Sequence, residues 1–255
     1  MLNNRIIPTL LLHEGGLVKT RKFKNPKYVG DPINAIRIFN DKEVDELILL
    51  DIDASREGRG PNLEALAEIA GECFMPLCYG GGIRTLEMAA RIFDCGVEKV
   101  CLQSSAIDDP GLITQIASRF GSQAVVLSVD VKRDWLRTAK LYQSRSGKTA
   151  PMAWTEFMRI GVAAGAGEVM LNAVDRDGEQ SGYDIELIRQ ATALIEVPLI
   201  AAGGAGKLTD FKAAIDAGAS ACAAGAMFVF YGPHRAVLIT YPHYADLEQI
   251  VGVKQ

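Results

Sequence analysis

Three observations predict a (β/α)8 barrel, or TIM barrel, assembled from two half-barrel repeats. Short apolar or β-branched runs alternate with helix-like segments along the chain, one set of motifs recurs half a chain later, and each half carries a glycine-rich loop at the same place. The 255 residues suit a single barrel spanning residues 1–255, with halves of about 1–119 and 120–255.

The first strand is read at Ile6–Leu12, followed by a basic loop from Lys19 to Lys27. Asp31-Pro32 then opens a helix over Ile33–Phe39, because an Asp carboxylate satisfies free helix N–H groups and Pro presets the first helical φ. Leu47–Ile52, Leu77–Tyr79 and Val97–Leu102 are the next strands, too short for helices and bounded by glycine or polar residues. Asp109-Pro110 opens the helix Gly111–Phe120 that ends the first half. The second half gives strands at Ala124–Val131, Glu168–Ala173, Pro198–Ala202 and Ala219–Ala224, with Asp184 opening the helix Ile185–Leu194. Seven helical segments fall between the eight strands. Between Lys132 and Thr149 lies a second long basic stretch with a turn at Ser146-Gly147.

The repeat separates a closed barrel from a doubly wound open sheet, which shares the βα alternation. Glu46–Asp53 aligns with Glu168–Asp175, Tyr79-Gly80-Gly81-Gly82-Ile83 with Ala202-Gly203-Gly204-Ala205-Gly206, and Gly96–Val100 with Gly218–Cys222. An open sheet offers no reason for that recurrence.

Composition removes several function classes. Hydrophobic residues are 49% and charged residues 23%, as in globular domains, and the formal charge of −4 argues against a nucleic-acid surface. No apolar run approaches the roughly 20 residues of a membrane span. The start Met1-Leu2-Asn3-Asn4-Arg5 has no secretory pattern, so a cytoplasmic protein is expected. Cys73, Cys78, Cys95, Cys101 and Cys222 lack paired spacing and read as structural thiols. His13, His234 and His243 are too scattered for a metal-ligand pattern, so no metal and no cofactor are expected. Without a GxSxG elbow or a placed Cys/His pair, acyl transfer and glutaminase chemistry within this chain are not expected.

In a parallel barrel, residues just after the strands face the catalytic mouth. Gly80–Gly82 and Gly203–Gly206 sit there, where absent side chains let backbone N–H groups approach an anion, so two phosphate sites are predicted. Asp130 ends the fifth strand and is the general-base candidate. The repeat assigns its counterpart to Leu11, which transfers no proton. Among the other mouth carboxylates, Asp51, Asp53, Asp175 and Asp177, some must cap turns, and Asp51 and Asp177 are the functional candidates. The Lys19–Lys27 loop is predicted to close over a polyanionic substrate, with Lys132–Thr149 as a second lid.

A family resemblance rests on many of these residues. Arg5-Ile6-Ile7, Gly30-Asp31-Pro32, Asp45-Glu46-Leu47, Asp51-Ile52, Gly80–Ile83, Leu112–Ala117, Phe120–Val125, Asp175–Gly178, Ser181–Asp184 and Gly203–Lys207 resemble HisF, the cyclase subunit of imidazole glycerol phosphate synthase, over residues 1–230. The resemblance implies ammonia received from a HisH-type glutaminase docked at the N-terminal barrel face and used at the opposite end on a phosphorylated small molecule with two phosphates. It implies an ammonia gate of Arg5, Glu46, Lys99 and Glu168, and phosphate or substrate contacts at Lys19, Asp51, Gly81, Gly82, Ser104, Asp177, Gly178, Gly203, Gly204 and Gly225. The family's two catalytic aspartates fall on Asp130 and on Leu11. Phosphate-site positions that usually bear hydroxyls are Ala202 and Gly225 here, and the tail His234–Pro242 departs from the usual last helix.

A retained floor with an altered mouth resembles HisF-like paralogues that pair with a HisH-like glutaminase and a separate ATP-dependent amidotransferase. Those paralogues place nitrogen on acetamido sugars of surface polysaccharide (O-antigen). That role is the leading expectation. The alternatives are an ordinary histidine-pathway cyclase, with Asp51 or Asp177 replacing the missing acid, and a non-catalytic scaffold that only conducts ammonia. The sister isomerase of histidine synthesis fits less well, because it needs a pair of acidic groups and has no floor gate.

Overall fold

A computed structural model describes residues 4–252. Eight strands lie parallel in one closed ring: β1 Arg5–His13, β2 Leu47–Asp51, β3 Leu77–Gly80, β4 Lys99–Leu102, β5 Val125–Arg133, β6 Glu168–Ala173, β7 Leu199–Ala202 and β8 Ala221–Ala224. The ring closes through β8 on β1, with Arg5 opposite Ala221, and the two halves also meet through β4 on β5, with Val100 opposite Val125. Seven helices of eight residues or more connect successive strands, as expected. The chain therefore adopts the (β/α)8 fold read from its repeat.

Local chemistry sets the helix starts. The Asp31 carboxylate accepts from Asn34 N–H at 2.9 Å at the head of Pro32–Asp41, and Asp184 accepts from Leu187 N–H at 3.2 Å before Ile185–Thr192. Asp109 acts one residue earlier than expected: it accepts from Gly111 N–H at 2.8 Å, with Pro110 between them. The strands also differ slightly from the sequence reading. β4 begins at Lys99 rather than Val97, and β8 at Ala221 rather than Ala219.

The two basic segments read as loops are instead built from paired strands. Glu14 and Gly15 turn the chain at φ of 50° and 80°, so Gly16–Arg21 pairs antiparallel with β1, Val18 opposite Leu11. Lys24–Gly30 then returns along Gly16–Arg21. This is a hydrogen-bonded hairpin. Its exposed lysines mask the strand pattern, while Leu17, Val18 and Val29 pack into the core. In the second half, β5 continues to Arg133 and pairs with Ala139–Gln143, and the turn at Gly147 leads into Lys148–Thr149. The tail forms a small hairpin, Phe230–Tyr231 with Ala236–Val237, and then a last helix, Tyr244–Val251.

Apolar burial divides into two layers. Strand residues facing outward join the helices in the larger core, whereas Ile7, Ile48, Cys78, Cys101, Val126 and Met170 pack inward along the barrel axis. At about 25 cal/mol per Å² of apolar surface removed from water, this double packing supplies the main drive for closure. Among the described residues, no helix is long and apolar enough to cross a membrane.

Candidate active site

The lower end of the barrel is closed by a ring of alternating charge. Arg5 is ion-paired to Glu46 and lies 2.8 Å from Glu168, while Lys99 reaches Glu46 at 2.9 Å and Glu168 at 3.1 Å. Each of the four charges thus has two partners, which is how buried charges are tolerated. Burial works against the Arg5 charge, but Glu46 and Glu168 more than offset it and raise its pKa.

At the upper end, strand order brings the glycine loops to opposite sides of one cavity. Gly81 and Gly82 follow β3 and Gly203 follows β7, and these three line a cavity that opens to solvent, whereas the predicted contact Gly204 is buried and does not line it. Gly82 adopts φ +70°, and a Cβ there would lie 2.8 Å from the Arg59 carbonyl oxygen, so the turn requires glycine. The two halves also match in their short helices, Ser104–Asp108 after β4 and Ala226–Val229 after β8.

Asp130 points into this cavity from β5, almost fully buried. Burial and the nearby Asp177 charge raise its pKa to about 7, with Ser128 opposing the shift. Gln103 Nε2 also donates to Asp130 Oδ2 at 2.6 Å, which favours the carboxylate. Asp177 is half-buried, and desolvation raises its pKa against the pull of Lys19 and a 3.2 Å hydrogen bond donated by Thr20 Oγ1. Lys19 extends from the hairpin into the cavity and donates to the Thr9 carbonyl oxygen. Burial lowers its pKa to about 8, with Asp177 pulling the other way. A Cβ on Gly225 would lie 2.5 Å from Lys19 Nζ, so the missing side chain at 225 makes the ammonium's seat.

Leu11 stands in the same cavity wall from β1, beside Leu50. The half-chain repeat aligns Leu50 with Asn172 and Leu11 with Asp130, so the first half presents an apolar wall where the second presents a polar one.

The structure brings most predicted site residues together: Lys19, Asp51, Gly81, Gly82, Ser104, Asp130, Asp177, Gly178, Gly203 and Gly225 all line the cavity. Asp51 is nevertheless committed elsewhere. Its oxygens take both arms of Arg59 at 2.8 and 3.0 Å and accept from the N–H groups of Asp53 and Ala54 at 3.0 Å. Asp53 holds His13 at 2.8 Å, and Asp175 accepts from Arg133 N–H at 2.7 Å, so both are occupied by local bonds. All five cysteines are free thiols, and burial pushes the Cys222 thiol up to about 12. Among the described residues, no cluster of His, Cys, Asp or Glu has metal-binding geometry.

Sequence reasoning missed Gln103, Ser128, Asn172 and Ser144, which also line the cavity. Gln103 follows the last residue of β4, so the rule that selected the glycine loops applied to it as well. Asn172 was visible as the polar member of a repeat pair whose mate is Leu50. Among the described residues its Oδ1 has no hydrogen-bond partner although buried, and neither has Thr9 Oγ1.

Fold and site together define a (β/α)8 barrel with an ion-paired floor and a mouth that combines paired glycine loops with buried ionisable groups. The profile of the family described as Histidine biosynthesis protein matches residues 5–234, and the chain belongs to that family, among its HisF-like members. A Pseudomonas aeruginosa protein provisionally named imidazole glycerol phosphate synthase subunit hisF2 is 53% identical over 252 residues, covering 97% of this chain and 99% of the relative. A Leptospira interrogans protein, provisionally named subunit HisF of the same synthase, is 46% identical over 252 residues, 98% of this chain and 99% of its own. The Hyphomonas neptunium imidazole glycerol phosphate synthase subunit HisF is 39% identical over 234 residues, 90% of this chain and 91% of its own.

Proposed function

We propose that the chain is the ammonia-using subunit of a glutamine amidotransferase complex. A HisH-type glutaminase docks at the N-terminal face, and ammonia passes the ring of Arg5, Glu46, Lys99 and Glu168 and follows the barrel axis to the mouth. There it enters a nitrogen-inserting reaction on a phosphorylated small molecule, with amidination of an acetamido sugar for surface polysaccharide as the preferred acceptor chemistry. An ATP-dependent amidotransferase is the further partner in that reading. The observation that carries it is the contrast between a complete floor ring and Leu11, an apolar residue where the repeat and the family pattern call for a carboxylate opposite Asp130. One of two proton-transfer groups is missing, and such a group contributes roughly 10²- to 10⁴-fold to a rate.

In this reading Asp130 exchanges the proton, since its pKa of about 7 populates both forms near neutrality. Lys19 and the Gly203-Gly204 loop take one anionic group of the substrate, and the Gly81-Gly82 loop with Ser104 takes the other. Asp51 holds Arg59 and the loop after β2.

A second reading, the cyclase of histidine biosynthesis, is favoured by the names of the relatives and by Asp177, a half-buried carboxyl with a raised pKa near Asp130. Expression in a histidine-requiring strain that lacks its cyclase separates the two. Our reading expects no growth without histidine; restored growth favours the cyclase and counts against the specialised role.

A further inference from the structure

Gln103 lies buried between Asp130 and the turn that starts at Ser144. Its amide has one workable orientation. The Tyr142 carbonyl oxygen, an acceptor only, lies 2.9 Å from Nε2, and the Ser144 backbone N–H, a donor only, lies 3.1 Å from Oε1. Exchanging N and O would set acceptor against acceptor and donor against donor. The NH2 group therefore faces Asp130 Oδ2 at 2.6 Å. Both amide hydrogens are then used, and Oε1 also accepts the Ser144 hydroxyl at 2.7 Å and the Ser104 hydroxyl at 3.3 Å. Gln103 has no donor left for a substrate.

We propose that Gln103 is a positioning residue that keeps the Asp130 proton on Oδ1, facing the cavity, and ties that carboxyl to the Ser144–Arg145 turn. A carboxyl oxygen that accepts an N–H at 2.6 Å has no room for a proton directed at that N–H, so Oδ2 stays the acceptor. Among the described residues Oδ1 meets only the Ser128 hydroxyl, at 3.4 Å, a long contact, and Ser128 and Asp130 both line the cavity. The turn is fixed in place: Arg145 forks onto Asp108 at 2.7 and 3.0 Å, and Arg56 Nε donates to the Ser144 carbonyl oxygen at 3.3 Å. The other groups around Asp130 are Asp177 from the segment after β6, with Lys19 from the hairpin behind it, and the neutral Asn172, in register on β6.

This inference rests on the reading of Asp130 as the proton-exchanging group, and its test is independent of turnover. The Asp130 carboxyl is titrated by 13C NMR in the ligand-free full chain with labelled aspartates, and Asp130→Asn assigns the signal. Losing a hydrogen bond to a charged group is worth about one pH unit or more, so Gln103→Leu should raise the Asp130 midpoint by about that much. Gln103→Glu keeps the shape and the Ser144 contacts, yet places a second carboxyl against Oδ2, and should raise the midpoint further. Ser144→Ala, which removes one anchor of Oε1 and no donor to Asp130, should move it less than Gln103→Leu does. Should Gln103→Leu not fold, the near-isosteric Gln103→Glu decides alone. An unmoved midpoint in the Gln103 variants overturns the proposal, as does a larger shift in Ser144→Ala. Full turnover by Asp130→Asn would defeat the proton-exchange reading instead and leave the Gln103 titration standing.

Discussion

At the floor of the barrel Arg5 and Lys99 each touch both Glu46 and Glu168, whereas at the mouth Asp130 is held by the neutral Gln103 and Ser128, with another carboxyl, Asp177, nearby. Both ends bury ionisable groups, but the floor ring pairs its charges with one another, whereas burial at the mouth displaces Asp130 to about 7 and Lys19 to about 8. Mutual pairing makes the floor charges a fixed framework. Incomplete pairing leaves the mouth able to gain and lose protons, as acid-base chemistry near pH 7 requires.

Substitutions at the two ends should therefore fail in different ways. The largest effect is expected from Asp130→Asn, which should lower turnover of the complex roughly 10²- to 10⁴-fold with little loss of fold; unchanged output would make the barrel a conducting scaffold. Next is Glu46→Ala, which leaves Arg5 and Lys99 sharing Glu168 alone. Breaking a buried ion pair costs about 3 kcal/mol or more, readable by denaturant unfolding, and a cost below about 1 kcal/mol would show that the ring is not a framework.

A smaller effect should appear in the pH dependence of stability. Asp130 titrates near the ordinary 3.8 when unfolded and near 7 when folded, so the fold binds its proton more tightly. The stability tied to that proton is fully present below about pH 4 and is lost as pH rises through 7. Because Asn mimics the neutral carboxyl, Asp130→Asn should gain on the natural chain between pH 5 and 8, by at most about 4 kcal/mol for a shift of this size. Thermal melts at the two pH values check this, and an equal effect at both would mean that Asp130 is not desolvated.

How much of this was visible in the sequence differs by region. The barrel strands could be read because short apolar runs between glycines and capping aspartates have few other folds. Leu11 could be recognised as the mate of Asp130 because the repeat carries register from one half to the other. The Gly16–Gly30 hairpin was hidden by Lys22, Lys24 and Lys27, which face solvent, and by Lys19, which turns into the cavity, all of them interrupting the apolar alternation. The floor ring could not be derived from spacing, since Arg5 and Glu168 stand 163 positions apart, and it entered only through the family resemblance. Gln103 escaped because its role depends on Tyr142 and Ser144, which a turn some 40 residues away brings back over β4. Asp51 looked like a site residue because no sequence pattern distinguishes a free carboxylate at a strand end from one gripped by Arg59.

We propose a floor that still serves ammonia and a mouth that lacks the second proton-transfer group of a cyclase. The most direct test is ammonia-dependent formation of imidazole glycerol phosphate by the purified chain, measured beside Leu11→Asp. The natural chain should form little product, and the variant should exceed it by roughly 10²-fold or more. A natural chain that turns over as well as its Leu11→Asp variant would contradict the proposed role and make this protein a histidine-pathway cyclase whose acid has moved, with Asp177 the residue to examine.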